Sequence, residues 1–396
     1  MKKLLVAVSL LLAAAATVAL ADGKGFSPAS IAMAGDGEMN AHTVALKQDG
    51  TLWAWGLNAH GQLGDGTRTT RLSPVQVGEA SDWVAVAAGC HRTVALKKDG
   101  TLWMWGWSGF DYTQSGLWEV HLLPGQIGSD SDWAAVAAGN AHILALKRDG
   151  TLWAWGSGIE GQLGLGTTAS TNVPTQVGVA NDWMVISASE EQSAALKKNG
   201  TLWAWGSNRN GGWVRKTPPR KVPVQIGPDR DWASVSVADT HAVALKRDGS
   251  LWSWGDGRGM GNVGDGTLRE RRVPVRIGKG NGWAAVAAGM RHTMALKKDG
   301  SLWAWGYNEH GQLGDGTKTE RLSPVQIGSY SDWAVVAAGT HFTVALKRDG
   351  TLWAWGNNDS GQLGDGTRTE RLSPVQIGEA GDWGVLIQEM PNVQGE

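Results

Sequence analysis

One phrase, [DN]-G-[TS]-L-W-x-W-G, recurs seven times along the chain and constrains its fold more than any other feature. The copies begin at Asp49, Asp99, Asp149, Asn199, Asp248, Asp299 and Asp349. Neighbouring copies are therefore 49 to 51 residues apart. A regular repeat of this length is typical of arrays in which each unit packs on the next. The seven copies cover nearly all of the 396 residues, so we expect no second domain.

Each repeat has the pattern of four short strands. The unit that starts at Ser81 contains SDWVAVAAG, TVALKKDG, TLWMWG and, after a polar Gly-rich stretch, PGQIG. Short apolar runs bounded by Gly, Asp or Pro predict strands, and Asp-Gly predicts a tight hairpin. The recurring proline of the last piece predicts an edge strand, since proline is tolerated there. Seven such units predict an all-β fold, a seven-bladed β-propeller with four-stranded blades.

The two ends of the chain predict how the ring closes. Residues 43–78 supply only the hairpin and edge pieces of a blade, and Trp383 to Gln388 supply only a first strand. If the N- and C-terminal pieces share one blade, the ring has no open edge. Ile31 to Ala34 has a similar pattern, so the sequence leaves open which segment forms the inner strand of the closing blade.

The tryptophans are predicted to form the core. Twenty-one of the 24 tryptophans occupy three fixed positions of the repeat. Trp53 and Trp55 are two residues apart and so lie on one face of a strand. We therefore predict that they pack between neighbouring blades. Three tryptophans outside this register are candidates for stacking on a ligand: Trp107, Trp118 and Trp213.

The first 21 residues predict export. Lys2 and Lys3 precede an apolar run, and Ala19-Leu20-Ala21 is a small-x-small cleavage site typical of a bacterial signal peptide. A retained membrane anchor is the alternative. We expect cleavage after Ala21, a periplasmic or extracellular location and no stable membrane insertion. The predicted division is signal peptide 1–21, lead-in 22–40, propeller 41–388 and tail 389–396.

Net charge and cysteine content limit the classes of partner and the covalent links that the chain can have. The chain has 36 basic and 37 acidic residues, and this balance argues against a dedicated nucleic-acid binder. Cys90 is the only cysteine, so no internal disulfide can hold the ring. A link between two chains through Cys90 stays open, but we expect a monomer. No motif indicates a cofactor or a metal.

The string HTVALKQDGTLWAWGLNAHGQLGDGT, residues 42–67, resembles the regulator-of-chromosome-condensation repeat, and the match recurs in all seven units. The resemblance implies a seven-bladed ring that presents loops to a protein partner. This family includes a eukaryotic guanine-nucleotide exchange factor, a plant UV-B photoreceptor, a secreted bacterial inhibitor of β-lactamases and many exported bacterial proteins. The repeat is therefore specific for the fold and much less so for function.

Two of these activities fit the sequence poorly. The exchange factor acts through a wedge inserted in one blade, and here no unit has an insertion. The photoreceptor carries Gly-Trp-Arg-His-Thr, whereas this chain has Met290 in place of that tryptophan, between Gly289 and Arg291. Inhibition of a secreted enzyme agrees with the predicted export and with the size of the chain. The repeat motif, however, does not identify which residues would contact such an enzyme.

Histidines recur at one position of the repeat, at His42, His142, His241 and His292. Other units place Arg92, Gln192 and Phe342 there, so we predict structural histidines that hydrogen-bond the loop backbone rather than a metal ring. No Ser, His and acid recur in a catalytic order. We therefore expect a protein that is not an enzyme.

The two residues before this position vary most between units, and by symmetry they line one rim of the ring. Variable loops on a rigid scaffold are where binding usually occurs. The candidate partner-binding residues are Cys90, His91, Asn140, Glu190, Glu191, Asp239, Thr240, Met290, Arg291, Thr340 and His341. We predict an exported, non-enzymatic scaffold that binds a protein partner there. Neutral drift of exposed positions, and a carbohydrate-binding or enzymatic propeller, are the alternatives.

The long loops of the fourth and fifth units differ from the others by their positive charge. No acidic residue lies between Gly206 and Gly227. The predicted basic patch consists of Arg209, Arg215, Lys216, Arg220, Lys221, Arg271 and Arg272. Such a patch would attract an anionic partner, either a protein or an envelope polymer. A solvated charged surface is the alternative.

Overall fold

A computed structural model shows seven antiparallel sheets of four strands each, arranged as a β-propeller, which confirms the predicted fold. The structure describes residues 30–35, 41–108, 120–207, 219–257, 259–379 and 381–384. Among these residues, none belongs to a helix long and apolar enough to cross a membrane.

Within each blade the chain passes from an inner strand through two middle strands to an outer strand. The inner strands are β1 (Ile31–Gly35), β5 (Trp83–Gly89), β9 (Trp133–Ala138), β13 (Trp183–Ser189), β17 (Trp232–Val237), β21 (Trp283–Ala288) and β25 (Trp333–Ala338). The second strands are β2 (Ala41–Leu46), β6 (Arg92–Lys97), β10 (His142–Lys147), β14 (Gln192–Lys197), β18 (His241–Lys246), β22 (His292–Lys297) and β26 (Phe342–Lys347). The third strands are β3 (Leu52–Gly56), β7 (Leu102–Trp107), β11 (Leu152–Gly156), β15 (Leu202–Gly206), β19 (Leu251–Gly255), β23 (Leu302–Gly306) and β27 (Leu352–Gly356). The outer strands are β4 (Arg71–Gln76), β8 (Val120–Gln126), β12 (Thr171–Gln176), β16 (Arg220–Gln225), β20 (Arg271–Arg276), β24 (Arg321–Gln326) and β28 (Arg371–Ile377).

The hairpin between the second and third strands is built by the repeated phrase itself. In blade 1, the Asp49 carboxylate accepts hydrogen bonds from the backbone N–H of Thr51 (2.9 Å) and from its hydroxyl (2.6 Å). The Thr51 hydroxyl in turn accepts a bond from Trp53 Nε1 at 3.0 Å. Gly50 adopts a φ of +80°, and a Cβ there would lie 2.1 Å from the carbonyl oxygen of Ser81. This position therefore requires glycine.

The core lies between blades rather than within one sheet. In the described residues, seven clusters of buried side chains each combine residues of two neighbouring blades. Trp83 of blade 2 lies among Leu46 and Leu52 of blade 1 and Trp105 of its own blade. Its ring meets those of Trp103 and Trp105 with centroids 6.0 Å apart in each case. The predicted role of the tryptophans in inter-blade packing is confirmed.

The closing blade has a composite inner strand. β1 pairs with β2 from Ile31 opposite Ala45 to Gly35 opposite Ala41, so the N-terminal candidate forms the inner strand. The C-terminal end reaches the end of the same strand through Trp383, which bridges Lys47, and through Gly384, whose N–H donates to the Leu46 carbonyl. Trp383 fills the place that Trp83 occupies in blade 2. Residues 385–388 of the C-terminal candidate lie outside the described residues. β1 lies within the predicted lead-in, 22–40.

Candidate interaction rim

The order of the strands places two kinds of connection at each end of the ring. One end, here called the loop rim, carries the inner turns, which join the first and second strands, and the long loops, which join the third and fourth. The other end, the hairpin rim, carries the Asp-Gly hairpins and the connections between blades. All the predicted partner-binding residues belong to the inner turns, so they share the loop rim.

In five of the described inner turns, the first of the two predicted residues lies at the centre of the ring. A cavity of about 100 Å³ at the mouth of the central channel is surrounded by small residues of the inner strands, among them Ala34, Ala88 and Ala188. The predicted residues that line it are Asn140, Glu190, Asp239, Met290 and Thr340. The sequence predicted only that these residues share one rim, and their role in binding a partner stays a prediction. Cys90 is different: its side chain is 4 % exposed, so the small thiol is enclosed and offers no contact surface to a partner.

The second residue of each inner turn lies farther out, against the start of its own blade's long loop. Its carbonyl oxygen accepts a hydrogen bond from the residue that follows the third strand, as between His91 and Trp107 N (2.9 Å) or Arg291 and Tyr307 N (3.0 Å). The members of this outer layer are His91, Glu191, Thr240, Arg291 and His341, all partly exposed. The inner turns and long loops are therefore joined into one continuous surface.

Two aromatic clusters on the loop rim escaped the sequence interpretation. His91 packs against His60 of the neighbouring blade (ring centroids 4.5 Å apart) and Trp107 (5.8 Å). His341 packs in the same way against His310 at 5.0 Å. Trp107 is only 7 % exposed because of this packing, which leaves little of its ring for the predicted ligand stacking. Trp118 and Trp213 lie outside the described residues.

Glu190 and Asp239 form an unusual pair at the mouth. Their side chains, from neighbouring blades, are hydrogen-bonded to each other, which two carboxyl groups can do only when one is protonated. Burial, followed by the negative charges of Asp239 and Glu191, raises the pKa of Glu190 to about 8, and the positive charge of Arg291 opposes this shift. Glu190 also has a φ of 25°, the only positive φ of a non-glycine residue in the described part of the chain.

The recurring histidines are structural, as predicted: His42 and His142 hydrogen-bond the backbone of Arg92 and Glu190, and each of the four histidines also contacts a side chain of the next blade. In each case Nε2 meets a hydroxyl of the next blade, as between His42 and Thr93 (3.1 Å) or His241 and Thr293 (2.7 Å). The Thr93 hydroxyl also donates a hydrogen bond to the Gln62 carbonyl at 2.8 Å. Burial lowers the pKa of these histidines to about 3, so they are neutral at physiological pH. The described residues contain no group of three or more His, Cys, Asp or Glu arranged to hold a metal.

The predicted basic patch is only partly described. Arg209, Arg215 and Lys216 lie outside the described residues. Arg271 is paired with Asp265, and Arg272, whose side chain is 60 % exposed, lies 3.4 Å from Glu270. Lys221 is exposed, and Arg220 is half-buried. Part of the expected positive charge is therefore neutralised within blade 5, whereas the two described members of the patch in blade 4, Arg220 and Lys221, have no ion pair with a described residue.

Comparison with known families agrees with this geometry. The RCC1-like domain matches residues 120–390, and the regulator of chromosome condensation (RCC1) repeat matches residues 49–96. The chain belongs to the RCC1-like domain family. Within this family, the ultraviolet-B receptor UVR8 of Arabidopsis thaliana is 45% identical over 49 residues, which are 12% of this chain and 11% of the receptor. The chain thus matches only about a ninth of that receptor's length.

Solved RCC1-like structures have the same fold. Prp20p of Saccharomyces cerevisiae, described with its binding to Gsp1p and histones, is 26% identical with a TM-score of 0.67, covering 77% of this chain and 80% of that one. Human WBSCR16 is 23% identical with a TM-score of 0.69, covering 80% and 86%. Yeast RCC1 bound to Kap60 has a TM-score of 0.72 at 20% identity, covering 87% and 86%.

Proposed function

We propose that this protein is an exported, non-enzymatic scaffold that binds a protein partner through the loop rim. The observation that carries the proposal is the convergence of Asn140, Glu190, Asp239, Met290 and Thr340 on the channel mouth. The inner strands that hold these residues are nearly uniform in composition, so the ring presents differing side chains on a constant frame. Binding residues usually occur on such loops above a rigid scaffold. Prp20p, which shares the fold, is described as binding Gsp1p and histones.

The export part of the proposal is supported by the first 21 residues, with cleavage after Ala21 and release to the periplasm or the medium. An exported location places the partner in the envelope or outside the cell. Inhibition of a secreted enzyme is one form that such binding could take, and exchange-like regulation is another, both suggested by the family alone.

The test is capture of a partner from envelope extract and culture fluid on the immobilised mature protein. The variant Glu190→Gln/Glu191→Gln/Arg291→Gln replaces three polar side chains of the loop rim, of which Glu190 is already largely protonated at neutral pH. The control replaces two glutamates and one basic residue with glutamine at exposed positions of the hairpin rim, Glu79→Gln/Glu379→Gln/Lys298→Gln. We expect the first variant to lose the captured protein and the second to retain it. Equal capture by both variants would refute the assignment of the loop rim.

A second candidate is an enzymatic or carbohydrate-binding role for the channel mouth. The observation in its favour is Glu190, since a protonated carboxyl beside a carboxylate in a cavity is a common acid–base arrangement. A glycan array and a screen of glycoside and ester substrates test this role. Turnover that is lost in Glu190→Gln would support it, and the absence of both binding and turnover would exclude it in favour of the scaffold.

A further inference from the structure

An arginine begins the outer strand in blades 1, 5, 6 and 7 and is neutralised by an aspartate of the same blade's long loop. Arg71 donates to Asp65 through Nε (2.8 Å) and Nη2 (2.7 Å), and Arg321 does the same to Asp315 (2.8 and 2.6 Å). The pairs Arg271–Asp265 and Arg371–Asp365 repeat this contact, in which Nε and Nη2 approach the same carboxylate oxygen, Oδ2. The repeat thus carries its own counter-ion for this arginine.

Blade 3 lacks both members of the pair. Leu165 stands where blade 1 has Asp65, and Thr171 stands opposite Gly156 as Arg71 stands opposite Gly56. Loss of both charges together is the physically inexpensive change, because removing one partner leaves the other charge uncompensated in a partly buried site. Either the complete pair or neither member is therefore the expected state of this position.

Blade 4 departs from both states. Arg220 stands opposite Gly206, in the register of the paired arginines. The sequence from residue 207 to residue 228 contains no Asp or Glu, so the loop of this blade has no carboxylate to offer. The Arg220 guanidinium forms no ion pair or hydrogen bond with any described residue, and its Nη1 is enclosed without a partner. Burial lowers the pKa of Arg220, as expected for a cation that lacks a counter-ion.

The backbone around Arg220 is fixed by the neighbouring blade. Gly166 of blade 3 donates its N–H to the Lys221 carbonyl at 2.8 Å. Gly161 lies so close that a Cβ there would be 2.9 Å from the Arg220 carbonyl oxygen. The guanidinium is therefore presented from a rigid junction of blades 3 and 4, and the exposed Lys221 adds a second positive charge beside it.

We propose that Arg220, assisted by Lys221, binds an oxyanion, a carboxylate or a phosphate, at this junction. A planar guanidinium can bind both groups through two N–H donors. In the other blades the equivalent guanidinium directs Nε and Nη2 at one oxygen of an internal carboxylate. The ligand takes the place of the missing aspartate. The site lies on an outer strand, apart from the channel mouth, so it stands or falls independently of the partner proposed for the loop rim.

The experiment uses the purified mature chain and two probes, inorganic phosphate and acetate, each titrated by calorimetry against sodium chloride of equal ionic strength. The test variant is Arg220→Thr, which installs the residue that blade 3 carries. Its matched control is Arg321→Thr, which breaks an internal pair at the same position of blade 6. We expect Arg220→Thr to weaken oxyanion binding about tenfold or more, since a charged hydrogen bond is lost. Arg321→Thr should leave that binding unchanged.

Thermal stability gives a second, independent readout. Arg220→Thr loses no contact with a described residue and should melt no lower than the parent, whereas Arg321→Thr should melt lower because Asp315 loses its cation and the two N–H donors to Oδ2. Arg220→Lys retains the charge without the fork and should bind more weakly than the parent. Binding of either probe with this pattern supports the site, and the preferred probe identifies the source. Binding of neither probe, equal binding by Arg220→Thr, or a stability loss equal to that of Arg321→Thr would overturn it.

Discussion

Substitution of Trp383 by alanine tests the composite closure of the ring. Trp383 is the C-terminal contribution to the closing blade, and its indole is 4 % exposed. Its ring lies 6.2 Å from Trp53 and 5.9 Å from Trp55, and its backbone N–H donates to the Gly350 carbonyl at 3.0 Å. Gly384 N, next in the chain, donates to Leu46 O at 2.7 Å. These contacts tie blade 7 to the second strand of blade 1.

The magnitude follows from the buried ring. A buried tryptophan removes about 150–250 Å² from water, which is about 4–6 kcal/mol gross at about 25 cal/mol per Å². Trp→Ala substitutions in cores typically cost about 3–5 kcal/mol. We expect Trp383→Ala to lower the free energy of unfolding by this amount. Trp83→Ala, the matched substitution in blade 2, should cost about the same, because Trp83 is 2 % exposed in an equivalent contact.

The two variants differ in where the ring loosens. Among the described strands β1 pairs only with β2, and its Ile31 shares a buried cluster with Trp383, so loss of the indole removes packing at the start of the closing blade. Hydrogen exchange should therefore accelerate in residues 31–35 and 41–46 of Trp383→Ala and much less there in Trp83→Ala. Urea unfolding measures the free energy of unfolding. Hydrogen exchange followed by mass spectrometry shows which strands lose protection. A loss below about 1 kcal/mol, or unchanged protection of β1 and β2, would refute the composite closure.

Three further predictions concern protons and processing. The buried histidines have a pKa of about 3 in the folded chain against an ordinary value of 6.5, so the unfolded chain binds more protons between these values and stability falls as the pH drops from 7 to 5. His292→Phe should make the melting temperature depend less steeply on pH in this range. An unchanged dependence would contradict this prediction. Glu190 has a folded pKa of about 8 against an ordinary value of 4.5, so the folded chain binds more protons and stability falls as the pH rises from 5 to 8. Glu190→Gln should therefore become more stable than the parent across that range and equally stable below pH 4.5, and Asp239→Asn should show the same trend. A stability difference that does not depend on pH would refute this prediction. Intact mass of the exported protein should show a chain that begins at Asp22, and retention of Ala21 would disprove the predicted cleavage.

The repeated elements could be predicted because local chemistry and the repeat agree at each of them. The hairpin at Asp49-Gly50 needs a carboxylate acceptor and a positive φ, and the sequence supplies both residue types at each hairpin, Asn199 standing in for the aspartate once. Closure was ambiguous for a physical reason. Trp383 matches the start of an inner strand and Ile31 to Ala34 matches its remainder, and the structure uses a piece of each.

The candidate site was predictable where symmetry sufficed and not where side chains deviate from it. Repeat position alone predicted that Asn140 and Thr340 share one rim, and the structure shows that both line the channel mouth. It could not show that Cys90 is enclosed, since burial depends on how one small side chain packs. The unpaired state of Arg220 did have a sequence signal, namely an arginine at a paired position in a unit whose loop contains no acid. That signal can be recognised only once it is known that Arg71 and its equivalents pair with an aspartate of their own loop.

The deviations that cost free energy lie in the same part of the ring. Glu190 combines a left-handed backbone, which costs about 1–3 kcal/mol in a non-glycine residue, with a carboxyl pair that must hold a proton. Arg220, in the same blade, carries a half-buried charge without its counter-ion. Blades 6, 7 and 1, by contrast, repeat nearly the same loop sequence and the same internal pair, as at Arg321. Strain and unpaired charge persist where the surrounding structure holds them, and they cluster at sites of binding. Blade 4 and its neighbours are therefore the part of the ring where ligands should be sought, and blades 6, 7 and 1 are the part that maintains the frame.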